Sequence, residues 1–353
     1  MDLLTDIATT LVAQMQKPTL AFLIGGMMLA ALGSKLEVPE PVYKFVVMLL
    51  LLKVGLSAGI SVREADLLAL ALPAVLAALV GIAIVLIGAV TIAKLRGVSH
   101  MDGMATAGLF GAVSASTLAA GMAMLEAEGI RYEGFIGALY PFMDIAALVT
   151  AIVLARMAAA RKAATSKNLQ GGTITMGGGG GFGGGFDGKM VGGILRDTFQ
   201  SAAISALVLG LALGIFARPD AVYESFYEPL FRGLLSILML IMGMEAWSRL
   251  SELRKVAHAY VLYAITAPLV HGLLGFGAGL IAHHFTGFSA GGVVLLAVMA
   301  SSSSDISGPP TLRGALPEAN ASAYVGSSTG LGTPVAILSI PLWIWLADLV
   351  IGV

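Results

Sequence analysis

Advanced by 188 residues, the first half of this chain meets its own landmarks in the second. Gly55 falls on Gly243, Gly103 on Gly291, and the run Ala112–Thr117 on Ala300–Asp305. The first segments match at the smaller offset of 181, with Leu32 and Gly33 on Leu213 and Gly214, so the second copy is seven residues longer in its first loop. In each copy a long apolar segment is interrupted by small and hydroxyl-bearing residues, Gly108–Thr117 in the first and Ser301–Pro310 in the second. Matched interruptions of this kind are the usual pointer to a transporter binding site at a repeat interface.

Composition says which solvent the fold must suit. Charged residues are 12% of the chain and hydrophobic residues 58%, against roughly 25% charged in soluble domains. Such a chain cannot cover itself with charge, so its solvent is largely lipid. A formal net charge of −1 gives no reason to expect a nucleic-acid partner. The chain has no Cys, which excludes disulfides and thiol chemistry. No removable leader is expected, because Asp2 and Asp6 stand where a basic region would precede the first apolar run.

Apolar stretches of spanning length are expected at 18–36, 40–60, 67–95, 103–126 and 134–157, and again at 198–217, 229–248, 259–285, 288–312 and 323–351. That is an all-α membrane protein of ten transmembrane helices in two five-helix repeats, residues 1–157 and 198–353. An odd number of spans per repeat makes the two copies inverted. With the N-terminus outside, the inner loops hold thirteen Lys and Arg residues, from Lys35 to Arg313, against Lys17, Arg63, Arg131 and Arg218 outside. The bias places both termini outside and the central loop in the cytoplasm. That loop, 158–197, starts basic and becomes glycine-rich through 177–185, the composition of a flexible linker. A docking site for a cytosolic partner is the other reading of it.

The chemistry concentrates in the two interruptions. Pro309 and Pro310 have no amide proton and their rings clash with the preceding turn, so the ninth helix breaks near them. In hydrocarbon, freed backbone groups are tolerated only where protein or a water-filled cavity satisfies them. Two half-helix N-termini meeting at mid-membrane would aim N–H groups at an anion, while unwound carbonyls would suit a sodium ion. The candidate anion contacts are Gly111, Ala112, Ser114 and Ser116 in the first interruption and Ser301, Ser302, Ser303 and Ser304 in the second. The candidate sodium ligands are Asp305, Thr117, Asp144, Ser302 and Thr333. Close packing of small residues accounts for Gly108, Gly111, Ala112 and Ala115 on its own. It does not account for four consecutive serines followed by Asp305 and two prolines.

Asp305 and Asp144 are carboxylates at membrane depth, where a charge by default marks an ion path or a paired site. Capping of a broken helix is the plainer role for Asp144, which matches Thr333 at an offset of 189. Lys53 and Glu245 lie at similar depth in the second and seventh spans and could pair, although Lys53 could equally snorkel. The five His residues are mostly in loops or at span ends, so no metal site beyond sodium is expected. No His lies in the motif region to activate Ser304, which argues against a hydrolase.

The segments Pro18–Gly26, Gly108–Ser114, Gly137–Ile145, Pro229–Ile237 and Met242–Arg249, with the Ser301–Pro310 motif, resemble the cyanobacterial sodium-dependent bicarbonate transporter family, SbtA. The likeness covers nearly the whole chain except the glycine-rich part of the central loop, where relatives carry a longer and more acidic segment. The resemblance implies sodium-driven bicarbonate uptake across the plasma membrane of a cyanobacterium. It also implies a homotrimer whose protomers carry a scaffold (spans 1, 2, 6 and 7) and a moving core in an elevator-type mechanism. A cytosolic PII-like regulator, SbtB, is the implied protein partner. Bicarbonate would lie between the broken helices with sodium beside it. The alternatives are a sodium-coupled carrier of another small monoanion, such as a carboxylate, or an anion channel.

The linker reading gives the first testable outcome. Deleting residues 177–185 should leave uptake in vesicles at the parent rate, because such a tract carries no packed structure. Loss of uptake by a correctly inserted deletion variant would make the tract part of the working machinery.

Overall fold

In the computed structural model, residues 18–64, 67–170, 202–253, 258–305 and 307–352 are described, together with Arg196 and Gln200. These residues form helices joined by short connections. Seven helices are long and apolar enough to cross a membrane, and Leu20–Ala31, Ile204–Phe216 and Ala290–Ser301 are shorter apolar helices, all counted among the described residues. Large apolar side chains face outward, including Leu32 at 82% exposure, Phe216 at 84% and Trp345 at 58%, which only lipid or another apolar surface can satisfy. The chain is an all-α, multi-pass membrane protein.

The first half runs α1 (Pro18–Ala31), α2 (Glu40–Glu64), α3 (Leu67–Val90), α4 (His100–Gly111), α5 (Ala115–Glu128) and α6 (Tyr140–Gln170). The second runs α7 (Ala202–Phe216), α8 (Glu228–Leu253), α9 (His258–Thr286), α10 (Ala290–Ser301), α11 (Gly308–Ala315), α12 (Ala321–Ser327), α13 (Thr333–Leu338) and α14 (Ile340–Val350). Two π turns, Tyr223–Tyr227 and Ser328–Gly332, lead into α8 and α13.

Each of the ten expected apolar segments contains helix, with two differences in length. α1 stops at Ala31 rather than near residue 36, because Gly33 takes φ 74° and Ser34 N–H returns to Leu29 O at 3.0 Å. That left-handed glycine ends the helix in a Schellman turn. α6 instead runs on to Gln170, well beyond residue 157, so the basic start of the central loop continues the helix. Residues 171–195, which include the glycine tract 177–185, lie outside the described residues.

Two helix pairs form close backbone contacts through glycine. α2 lies on α7, where a Cβ on Gly55 would collide with Leu207 O; α8 lies on α1, where a Cβ on Gly243 would collide with Leu23 O. The two glycines that the sequence matches thus have the same task, each letting its helix approach a short partner from the opposite half. Arg63 at the end of α2 ties the far end of this pair, bonding Gly214 O at 3.3 Å and Asp220 Oδ1 at 2.8 Å.

Against these pairs stands a second group in which α4, α5 and α10 are almost wholly enclosed. Every residue of α4 from Gly103 to Gly111 and of α10 from Gly291 to Ser301 is buried, enclosed by α3, α6 and α9. Polar side chains fix the ends of these inner helices. Glu133 accepts from Ser289 N and Oγ at 2.6 and 2.8 Å at the start of α10, and Asp102 at the start of α4 accepts from Asn320 N at 2.7 Å. Arg156 closes α11 by donating to Ala315 O at 3.2 and 2.9 Å.

The glycine contacts give a stability prediction. Gly243→Val should lower the detergent-solubilised melting temperature sharply, by overpacking worth about 1–3 kcal/mol or more. Gly25→Ala, whose new Cβ meets nothing within 4 Å, should leave it unchanged.

Candidate functional site

The two interruptions expected from sequence meet at one crossing. α4 ends at Gly111, Ala112 and Ser114 are extended, and Ser114 caps α5 by accepting from Thr117 N at 3.1 Å. α10 ends at Ser301, the chain continues extended through Ser302, and α11 starts only at Gly308. Ser and Asp side chains compete with the backbone for hydrogen bonds and favour such breaks and caps. Pro309 occupies the first turn of α11, where proline is best tolerated. The break lies just upstream of the prolines.

Each broken strand satisfies the other. Ser114 N donates to Ser302 Oγ at 2.9 Å, and Ser304 N donates to Leu109 O at 2.8 Å. Ser302 Oγ donates in turn to Met299 O at 2.7 Å, and Ser301 Oγ to Val298 O at 2.9 Å. Ser303 Oγ stands 3.2 Å from Thr333 Oγ1, which donates to Ser303 O at 3.4 Å. Gly111 is a packing residue here: a Cβ on it would stand 2.9 Å from both Ala147 Cβ and Val85 Cγ2. Ala112 is buried, its N–H bonded to Gly108 O at 3.1 Å.

Two carboxylates flank the crossing. Asp305 Oδ2 accepts from Ser116 Oγ at 2.5 Å and Ser114 Oγ at 3.1 Å, while Asp305 Oδ1 is out of reach of solvent and has no hydrogen-bond partner. Asp144, fully buried near the start of α6, accepts from Val113 N at 3.1 Å and from Ser307 Oγ at 3.1 and 3.3 Å. Asp144 thus takes up an N–H that the break between α4 and α5 frees, while Ser114 caps α5. The two carboxylates act on each other electrostatically. Among the described residues, neither has a Lys or Arg within ion-pair distance. Thr117 Oγ1 turns back to Ser114 Oγ at 3.0 Å. Of the expected sodium ligands, Asp305, Thr117, Asp144 and Ser302 gather at the crossing, and Thr333 joins through Ser303.

The two half-helix N-termini are unequal. In α5, Thr117 N is capped by Ser114, which leaves the N–H groups of Ala115 and Ser116 without an acceptor among the described residues. In α11, Gly308 N is taken by Ser304 Oγ at 2.8 Å, and Pro309 has no N–H. Pro310 likewise carries no donor. The expectation of two N-termini offering N–H groups reduces to one, because serine and proline stopper the second.

Four residues that the sequence reading did not assign to the site stand around it. Ser307 bridges Asp144 and Ser304 Oγ, the latter at 3.0 Å; its only signal was a hydroxyl next to the double proline. Thr329, in the π turn before α13, has a buried Oγ1 without a partner. Tyr43 and Glu245, from α2 and α8, act electrostatically on one another and on Asp305. The suggested pairing of Lys53 with Glu245 is not formed. Lys53 Nζ instead lies 4.1 Å over the Phe231 ring, and the carboxylates that act on it are Glu126 and Glu228. Matching positions in two spans did not bring the two side chains to one level, since Lys53 meets α8 fourteen residues from Glu245.

Two broken helices, the open donors of one helix N-terminus and two carboxylates without an ion-paired cation thus meet at one place among the described residues. No curated protein gives a significant match to the chain. The family model of the Na+-dependent bicarbonate transporter superfamily matches residues 18–348, and the chain belongs to that superfamily.

Proposed function

We propose that this protein is a sodium–bicarbonate symporter of the plasma membrane, ten spans in two inverted repeats, 1–157 and 198–353, joined by a cytoplasmic linker at 158–197. Both termini face outward. α1, α2, α7 and α8 form the scaffold, and the enclosed helices around the crossing form a core that moves against it. The protomers assemble as a homotrimer, and a PII-like regulator grips the cytosolic face. Membership of the superfamily supports the substrate and the ion, and the division between the glycine-contact pairs and the enclosed group supports the scaffold and core.

One observation carries the reading: at the crossing, a carboxylate already occupies the hydroxyls at an anion-binding helix N-terminus. Ser114 and Ser116 donate to Asp305 Oδ2 beside the open N–H groups of Ala115 and Ser116. Bicarbonate, a planar monoanion, needs these donors. Sodium has reason to bind at Asp305, whose Oδ1 lacks a partner, and within reach of Asp144 and the unwound carbonyls. A cation there draws the carboxylate's charge to itself and releases the hydroxyls to the incoming anion. Burying the two ions together costs less than burying either alone. Each then raises the other's affinity by the same factor, which is the thermodynamic form of coupling.

Radiolabelled bicarbonate uptake into proteoliposomes, with and without an inward sodium gradient, tests the assignment. Uptake without sodium dependence would overturn symport, and preference for formate or acetate would move the substrate to another monoanion. Asp305→Asn keeps the hydrogen-bonding shape but removes the charge, so the sodium concentration for half-maximal uptake should rise by more than about tenfold. Unchanged sodium activation would remove Asp305 from the ligand set. Ser114→Ala should raise the half-saturating bicarbonate concentration by an amount matching one hydrogen bond to a charged group, about 1.5–3 kcal/mol. An unaltered bicarbonate response in that variant would place the anion elsewhere.

A further inference from the structure

Lys53 is 5% exposed, yet among the described residues it has no carboxylate within ion-pair distance. Its ammonium rests against ring faces, 4.1 Å from the centroid of Phe231 and 5.9 Å from that of Tyr223. The charges acting on it are Glu126 of α5 and Glu228 of α8. Glu126 is engaged elsewhere, accepting from Tyr132 OH at 2.8 Å and pairing with Arg232 at 3.7 Å. A buried cation held only by aromatic faces is costly to maintain, and a structural role alone would be met by an apolar residue.

Its level along the scaffold is informative. Asp305 of the crossing acts on Tyr43, near the start of α2, and on Glu245, near the end of α8. Lys53 lies ten residues further along α2, about 15 Å at the helical rise of roughly 1.5 Å per residue. Phe231, its companion on α8, lies fourteen residues from Glu245, about 21 Å by the same rise. Both helices therefore place the crossing toward one end of the scaffold and Lys53 further along, at the midpoint of α2. The Lys and Arg bias of the loops makes the crossing's end cytoplasmic and the Lys53 end outward.

We propose that Lys53 is the scaffold cation that receives the anion when the crossing stands at the outer level. Resting on the symport and moving-core reading above, this assigns Lys53 to capture from outside and leaves it remote from the site at the inner level. The core motifs carry no Lys or Arg of their own between Gly108 and Thr117 or between Ser301 and Pro310. The fixed positive charge is thus on the scaffold, where the core leaves it behind. The anion is attracted on arrival and not retained on release. The aromatic faces hold the ammonium without neutralising it, as a paired carboxylate would.

The test separates the two membrane faces. Bicarbonate uptake is measured in right-side-out and in inside-out vesicles for the parent, Lys53→Met and Lys53→Arg. Lys53→Met should raise the half-saturating bicarbonate concentration from the outer face by about tenfold or more, equivalent to at least 1.4 kcal/mol, and leave that from the inner face unchanged. Lys53→Arg should restore the outer value toward the parent. Equal changes on both faces, or none, would overturn the proposal, as would a Lys53→Arg variant as impaired as Lys53→Met. Because Lys53 has no ion-pair partner that its removal would orphan and Met keeps an apolar stem against the rings, the melting temperature of Lys53→Met should match the parent; a fall that Lys53→Arg reverses without restoring the outer value would mark a structural role and overturn it. Absence of sodium-dependent bicarbonate uptake in the parent would instead count against the symport reading itself.

Discussion

The structure depends on the need to satisfy backbone groups where two helices come apart inside an apolar interior. Opening α4 from α5 and α10 from α11 frees N–H and C=O groups that lipid cannot serve. The solution is mutual: Ser114 N finds Ser302 Oγ, Ser304 N finds Leu109 O, and Val113 N finds Asp144. The first two of these bonds join the two halves, so neither broken helix is complete without the other half of the chain, and the third ties the first break to α6. The enclosure of α4, α5 and α10 by longer helices follows from this, because water would otherwise compete for the same groups.

Where the crossing lies was legible in the sequence, because its signals are local. A run of serines, an aspartate and two prolines inside an apolar segment admits few readings. Which atoms remain available was not legible, because the partners that consume them lie in the other half. Ser302 and Ser114 look alike as hydroxyls in sequence, yet one Oγ serves the opposing backbone and the other caps α5 and touches Asp305. Gly111 reads as a site residue by position and serves as a packing residue by contact. The extent of α1 was set by Gly33 adopting a left-handed conformation, a choice that hydrophobicity does not register. Lys53 and Glu245 read as level with one another in sequence, yet Lys53 meets α8 at Phe231, fourteen residues from Glu245, because relative height depends on how α2 and α8 are offset along their axes.

The crossing is electrostatically lopsided. Two carboxylates, Asp144 and Asp305, approach without a basic side chain, while one helix N-terminus offers donors and the other is stoppered by Ser304 and proline. An arrangement designed only for rigidity would pair these charges or omit them, because a buried unpaired carboxylate is expensive. The crossing thus sets two carboxylates without an ion pair beside a single open helix N-terminus.

The π turn at Ser328–Gly332 has a consequence for how the two halves keep step. Their alignment slips by one residue, from 188 where Thr117 falls on Asp305 to 189 where Asp144 falls on Thr333. A π turn is how a helix absorbs one additional residue without breaking, and this one lies inside the interval where the slip occurs. It acts as a phase shifter. The surplus residue is stored as a local widening, so Thr333 keeps its heading toward Ser303 instead of being turned about 100° around the axis, the angle one residue makes in a regular α-helix. The widening also leaves the Thr329 hydroxyl inside the protein without a partner, a loose polar end created by keeping the two halves in register.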